Sequence, residues 1–210
     1  MTDISVSMIV ATDLEGAIGL GKTIPWRMPS DLKHFQKYTM NKIVVMGRKT
    51  FESLPVFLHG RVSIIISSDA DAIQAKVESL KAMSDEVPPI IHVDSLIGLG
   101  GIVDAIMEDY DADKTEIVVI GGGTIYKQFL EFTDKVIMTV VDTKSDGDVL
   151  FPALSEKMFS LVSTNSVPRH ASDEFESSTF TFQRSKSNVV SFPDGKTLSW
   201  WDLAKRTWRP

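Results

Sequence analysis

The 210-residue chain reads as an α/β protein with a mixed, largely parallel central sheet flanked by helices and closed by an antiparallel C-terminal hairpin. Three observations predict this. Short runs rich in β-branched residues recur along the chain, as strands buried on both faces require. Segments with apolar residues at helical spacing alternate with them, the order that lays parallel strands side by side. The last two β-rich runs follow one another with no helical pattern between them, which suits a hairpin at one edge of the sheet.

In chain order, strands are expected over Val6 to Ala11, Ile43 to Met46, Val62 to Ile66, Pro89 to Val93, Glu116 to Ile120 and Lys135 to Val141. The hairpin follows with Phe159 to Asn165 and Ser177 to Arg184. Helical spacing marks Leu32 to Tyr38, Thr50 to Leu54, Gly101 to Asp109 and Ile125 to Phe132, with a further patch around Ala75 to Met83. After Arg184 the composition shifts to Ser185, Lys186, Ser187 and Asn188, then a turn at Pro193, Asp194 and Gly195. Residues 1–184 are therefore read as one domain and 185–210 as an extension. In that extension Trp200, Ala204 and Trp208 recur at helical spacing, which predicts a short amphipathic helix. Its aromatic face would pack on the domain's own surface, meet a protein partner or meet a second copy of the chain.

Composition narrows the function. A net charge of −6 leaves no basic footprint for a polyanion, so nucleic acid is not an expected partner. With no cysteine, thiolate nucleophiles and cysteine-based metal sites are excluded, and a reducing compartment, the cytoplasm, is expected. The apolar run Val6 to Ala11 is too short to span a membrane, so none is expected as a partner. His34, His59, His92 and His170 lack metal-ligand spacing, and no metal is expected.

Two segments share one design. Ile43 to Met46 leads through Gly47 into a helix opening at Arg48, Lys49 and Thr50, and Ile117 to Ile120 leads through Gly121, Gly122 and Gly123 into another. Free backbone N–H groups at helix starts, with glycines that admit a phosphate closely, could together cradle a pyrophosphate. Each alone could equally be a glycine turn joining strand to helix. Arg48 carries a rigid cationic fork suited to a phosphate monoester, and the hydroxyls of Ser67 and Ser68 could reach the same group; the alternative is that these are surface and turn residues only.

Asp31 is the other unusual position. Pro29 fits the first turn of a helix, and Asp31 then lies four residues from Phe35 and near Met28, on a face that otherwise reads as core. Capping the helix is one role for it; handling a proton is another. Burial would raise its pKa and a helix start would lower it. The preceding stretch, Thr12 to Ile24, holds Gly16, Gly19 and Gly21 and could act as a lid.

Taken together, Met8-Ile9-Val10-Ala11, Ile18-Gly19, Pro25-Trp26, Asp31-Leu32-Lys33-His34-Phe35, Val45-Met46-Gly47-Arg48-Lys49-Thr50, Ile64-Ile65-Ile66-Ser67-Ser68 and Ile120-Gly121-Gly122-Gly123-Thr124-Ile125-Tyr126 resemble dihydrofolate reductase in order and spacing. The resemblance runs from about Ile4 to Arg184 and includes Thr139 and the acidic loop Asp146-Gly147-Asp148. It implies the dihydrofolate reductase-like fold and reduction of 7,8-dihydrofolate by NADPH, with hydride going to C6 and a proton to N5. Asp31, Trp26 and Thr139 would be the catalytic group. Ile9, Val10, Asp31, Phe35, Leu54, Arg61 and Ile120 would bind substrate, and antifolates would enter the same pocket. Ala11, Ile18, Gly19, Gly47, Arg48, Lys49, Thr50, Ser67 and Ser68 would hold one part of NADPH. Ile120, Gly122, Gly123, Thr124, Ile125, Tyr126 and Gln128 would hold another. The resemblance also implies a cis peptide between Gly121 and Gly122. Two departures stand out: Pro55 to Gly60 lacks the family's proline-rich pattern, and Ile137 stands where many bacterial relatives have Tyr.

Overall fold

In the computed structural model the described residues are 5–21, 23–84, 86–95 and 113–185. The strands are β1 (Ser5–Thr12), β2 (Ala17–Gly19), β3 (Lys42–Gly47), β4 (Val62–Ile66), β5 (Ile90–Val93), β6 (Asp113–Gly121), β7 (Lys135–Val141), β8 (Val149–Leu150), β9 (Phe159–Val167) and β10 (Ser177–Arg184). The helices are α1 (Pro29–Thr39), α2 (Arg48–Ser53), α3 (Ala70–Lys81) and α4 (Gly123–Phe129), the last running into a 3-10 turn over Leu130–Phe132. Eight strands form one sheet in the order β5-β4-β3-β6-β1-β7-β10-β9. The pairs from β5 through β7 are parallel, and β10 runs antiparallel to both β7 and β9. The expected mixed sheet and closing hairpin are both present.

The continuous apolar runs arise because each strand feeds two layers. Met8 and Val10 of β1, Ile43 and Val45 of β3, and Ile117 and Val119 of β6 point to a layer shared with Ile125, Tyr126 and Phe129 of α4. Ile9, Val44, Met46 and Val118 point the other way, against Phe51 of α2, Ile73, Val77 and Leu80 of α3, and Phe35 of α1. A one-residue alternation thus builds a covered sheet with helices on both faces.

Element edges differ from expectation where a local device sets them. Helix α3 starts at Ala70 because the Asp69 carboxylate accepts from the N–H of Ala72, a cap lying ahead of the apolar patch. The glycine-rich stretch after β1 contains a short strand, β2, that pairs with β8, and neither was expected. The two lie over a hundred residues apart, so local pattern carries no signal for them. The helix expected over Gly101 to Asp109 and the extension after Ser185 lie outside the described residues.

Candidate active site

Most of the candidate site residues lie toward the carboxyl ends of the parallel strands, where an open α/β sheet offers its crevice, whereas Arg61 immediately precedes β4. Pro29 opens α1 and Asp31 stands in its first turn. Asp31 is not what holds the start of the helix. That role falls to Asp173, from the loop before β10, whose carboxylate accepts from the N–H of Ser30 at 3.0 Å. The same loop grips the chain a few residues earlier, with Arg27 N–H donating to the Glu174 carboxylate and Glu174 N–H donating to the Arg27 carbonyl.

The Asp31 carboxylate is thereby presented to β7, where the Thr139 hydroxyl hydrogen-bonds to it. Burial pushes its pKa above the usual carboxylate range, and nearby Asp173 adds to this, while the Thr139 hydrogen bond and the His34 imidazole only partly oppose it. Burial therefore prevails over the Thr139 and His34 contributions.

One turn along α1 from Asp31, Phe35 belongs to an apolar cluster. Phe35 of α1, Leu54 at the end of α2 and Ile120 near the end of β6 pack, part-buried, on a cluster that contains Ile9. Val10 faces the opposite layer, so only its backbone can line this side. Trp26 packs with Met28 and Val141, next to Ala11 and Phe175, at the upper end of β1 and β7.

Arg61 is buried near the far end of α1. Its guanidinium donates to the His59 carbonyl from Nε and Nη2 and to Thr39 Oγ1 from Nη1. Among the described residues its partners are thus one carbonyl and one hydroxyl, and burial lowers its pKa. A buried cation of this kind needs an anion to offset its desolvation.

The two glycine segments converge. A Cβ added to Gly122 would lie 3.4 Å from Thr50 Oγ1, and one added to Gly47 would lie 2.9 Å from Ile125 Cγ1, so the starts of α2 and α4 face each other across glycines. The Gly121-Gly122 peptide is cis, as the resemblance implied. Both helices are short, with 6 and 7 residues, so the cradle rests on exposed backbone and glycine clearance more than on a helix dipole. Lys49, Thr124 and Gln128 are exposed around it, while Gly47, Arg48, Thr50, Ser67, Gly122 and Gly123 are half-buried. Gly47 is level with Ile66 in the β3–β4 pair, which brings Arg48 and Ser67 to neighbouring strand ends. The Arg48 guanidinium meets Glu52 and lies 3.8 Å from Asp69, and Ser67 Oγ accepts from the N–H of Asp69. Ser68 is exposed beside it. Tyr126 is deeply buried with its ring against Gly121: its hydroxyl donates to the Ile9 carbonyl at 2.7 Å and its ring meets Phe151 edge-on.

Ile18 and Gly19 sit in the β2 stretch, which is tied to the acidic loop. Gly19 O accepts from the N–H of Asp148, and Asp148 Oδ1 accepts from the N–H of Gly21. Two further residues were missed from the sequence. Asp13, fully buried, accepts from the N–H groups of Glu15 and Ala17 and from both N–H and hydroxyl of Ser145, which shapes this loop. Its position just after a strand, two residues from the N–H it binds, is an Asx-turn signal that could have found it. Asp173 offered no such signal, since its partner is 143 residues away.

Comparison with known proteins is decisive here. A profile of dihydrofolate reductase matches residues 5–185. The chain belongs to the dihydrofolate reductase family. It is 37% identical over 149 residues to dihydrofolate reductase from Haemophilus influenzae, covering 71% of this chain and 79% of that one. It is 34% identical over 163 residues to dihydrofolate reductase type 9 from Escherichia coli, covering 76% and 82%. A solved dihydrofolate reductase from Enterococcus faecalis, complexed with NADP(H) and RAB-propyl, superposes with a TM-score of 0.65 at 24% identity. The match covers 87% of this chain and 97% of that one, and the two share the fold.

Proposed function

We propose that this dihydrofolate reductase converts 7,8-dihydrofolate to tetrahydrofolate with NADPH, using Asp31 to anchor the pterin. The observation that carries the reading is the Asp31–Thr139 pair, a carboxyl of raised pKa on the same helix as Phe35, which packs on the apolar cluster of Ile9, Leu54 and Ile120. A flat heterocycle with adjacent N–H donors on one edge is the ligand such a cluster and carboxylate would match. Asp31 accepts from N3 and the 2-amino group of the pterin, and Thr139 steadies the carboxylate. The Ile9 and Ile120 carbonyls border the far edge of the ring, with Ile9 already held in place by Tyr126. The negative charge beside the ring favours a proton at N5, delivered through water near Trp26. Arg61 takes the α-carboxylate of the glutamate tail, which supplies its missing counter-ion.

The glycine cradle fits a dinucleotide, because a Cβ at Gly47 would collide with Ile125 and Gly122 brings its backbone within contact of Thr50. Thr50, Gly122, Gly123, Thr124, Ile125 and Gln128 would hold the phosphates, and Arg48, Lys49, Ser67 and Ser68 the adenosine phosphate. Ala11, Ile18 and Gly19 would lie by the nicotinamide. When bound, NADPH supplies the hydride that goes to C6. We place the catalytic domain at residues 1–184, supported by a family match that stops at 185, and the enzyme in the cytoplasm. For the extension, 185–210, we propose packing on that domain, a protein partner or a second copy of the chain; sizing and melting of a chain ended after Arg184 separate these. The direct test is the fall in NADPH absorbance when dihydrofolate is added to the purified chain. Steady turnover is expected, and none in a folded sample would refute the reading.

A further inference from the structure

The half-buried cation Arg48 keeps company with two acids from different elements. Glu52 lies four residues on along α2, and its carboxylate meets Arg48 Nη1. Asp69, in the turn after β4, faces another edge of the guanidinium, with Oδ2 3.8 Å from Nε. Two of the three nitrogens in the fork thus look onto carboxylates. The orientation of Asp69 is fixed from both ends. Its Oδ1 accepts from the N–H of Ala72 at 3.0 Å as the N-cap of α3, and its own N–H donates to Ser67 Oγ at 3.0 Å. One carboxylate oxygen holds the helix while the other is presented to Arg48.

A phosphate monoester that came to Arg48 and Ser67 would therefore enter beside two negative charges. Near neutral pH such a group carries between one and two negative charges of its own. It must draw the guanidinium away from a carboxylate and then sit next to that carboxylate. A ribose 2′-hydroxyl has the reverse preference, because it is neutral and can donate to the acid; a carboxylate at the ribose hydroxyls is how other dinucleotide sites favour NADH, as an arginine is how they accept NADPH. This site holds both devices side by side.

We propose that Asp69 is a specificity-determining residue that holds the preference for NADPH over NADH to a narrow margin. The inference rests on the adenosine phosphate lying at Arg48, Ser67 and Ser68, as proposed above. Arg48 and the exposed Lys49 keep the net attraction on the phosphate side, so NADPH remains the better ligand. Glu52 adds to the repulsion, but it also supports α2 from within the same helix. Asp69 arrives from the start of α3, and its charge can be removed without removing its cap.

The test uses that separation. Asp69→Asn deletes the charge and keeps a side-chain oxygen that caps a helix about as well, whereas Asp69→Ala deletes both. Binding of NADPH and of NADH to the full chain is followed by quenching of tryptophan fluorescence with no folate present, and KM and kcat for each are measured alongside. In Asp69→Asn the affinity for NADPH should rise about fivefold at low salt, with that for NADH within about twofold, so the ratio of the two widens. The gain should shrink toward unity at about 1 M salt, because the charges are exposed to screening. KM for NADPH should fall in step while kcat changes little, and the melting temperature should stay at the wild-type value. Asp69→Ala should show the same widened ratio together with a lower melting temperature, which separates the charge from the cap. An NADPH to NADH affinity ratio unchanged in folded Asp69→Asn, or a gain that salt does not diminish, would overturn the proposal. Arg48→Leu distinguishes this from failure of the underlying placement: if it leaves NADPH affinity unchanged, the phosphate is not at Arg48 and both readings fall, whereas a loss there with no gain in Asp69→Asn removes the role of Asp69 alone.

Discussion

Asp31 and Arg61 carry opposite charges, and each is withdrawn from water for a reason its immediate surroundings do not supply. Asp31 receives a side-chain hydrogen bond from Thr139, which leaves its carboxyl able to accept further bonds from a ligand. Arg61 donates to one carbonyl and one hydroxyl, so a substrate carboxylate would complete it. Replacing Arg61 by Leu should raise KM for dihydrofolate about tenfold to a hundredfold, the cost of a charge-assisted hydrogen bond of about 1.5–3 kcal/mol, and leave kcat much less affected. Steady-state kinetics at saturating NADPH would check this. A fall in kcat with KM unchanged would take Arg61 out of substrate binding.

At the scale of elements, the placement of Asp31 depends on α1, and α1 depends on a loop that arrives from the far end of the chain. Asp173→Ala removes the acceptor for the Ser30 N–H and should cost about 1 kcal/mol, the usual loss of an N-cap, read as a shift in urea midpoint. Turnover should fall with it, because the first turn carrying Asp31 is no longer held. Much of the element plan was legible beforehand: β4, β7 and β10 have the bounds that their β-branched runs mark, because strands inside a sheet favour such side chains. The sites at Asp31, Thr139 and the paired glycines were legible only through their order along the chain. Local chemistry left Asp31 suited to capping as well, and only the presence of Asp173 removes that option. What could not be read were the tertiary devices: the β2–β8 pairing and the Asp173 clamp, each made by residues far apart in sequence.

For the whole molecule, one polar knot fastens α1 and the central strands at the end away from the site. Glu116 of β6 is bound by Lys42, Lys135, Tyr38 and Ser7. Burial pushes its carboxyl up, but hydrogen bonds from Lys135, Lys42, Ser7 and Tyr38 outweigh it and hold it at about 2, against an ordinary 4.5. A carboxylate whose pKa is lower in the folded state stabilises that state above the unfolded pKa. The contribution, on the order of 3 kcal/mol, is lost as pH falls from about 4.5 toward 2. Acid unfolding of Glu116→Gln should therefore lack most of that pH dependence, and at neutral pH its Tm should be several degrees lower. An acid transition identical to the wild type would show that the knot is not coupled to folding.

The role proposed for the raised-pKa carboxyl of Asp31 is to anchor the pterin and favour its protonation. It is tested most directly by comparing kcat/KM for dihydrofolate in the wild type and Asp31→Asn at neutral pH, with NADPH binding followed by fluorescence to show that the variant is folded. The amide cannot accept from both pterin donors and carries no charge, so a fall of about a hundredfold or more is predicted, shrinking as the pH is lowered and solvent supplies the proton. Undiminished turnover in Asp31→Asn at neutral pH would contradict it.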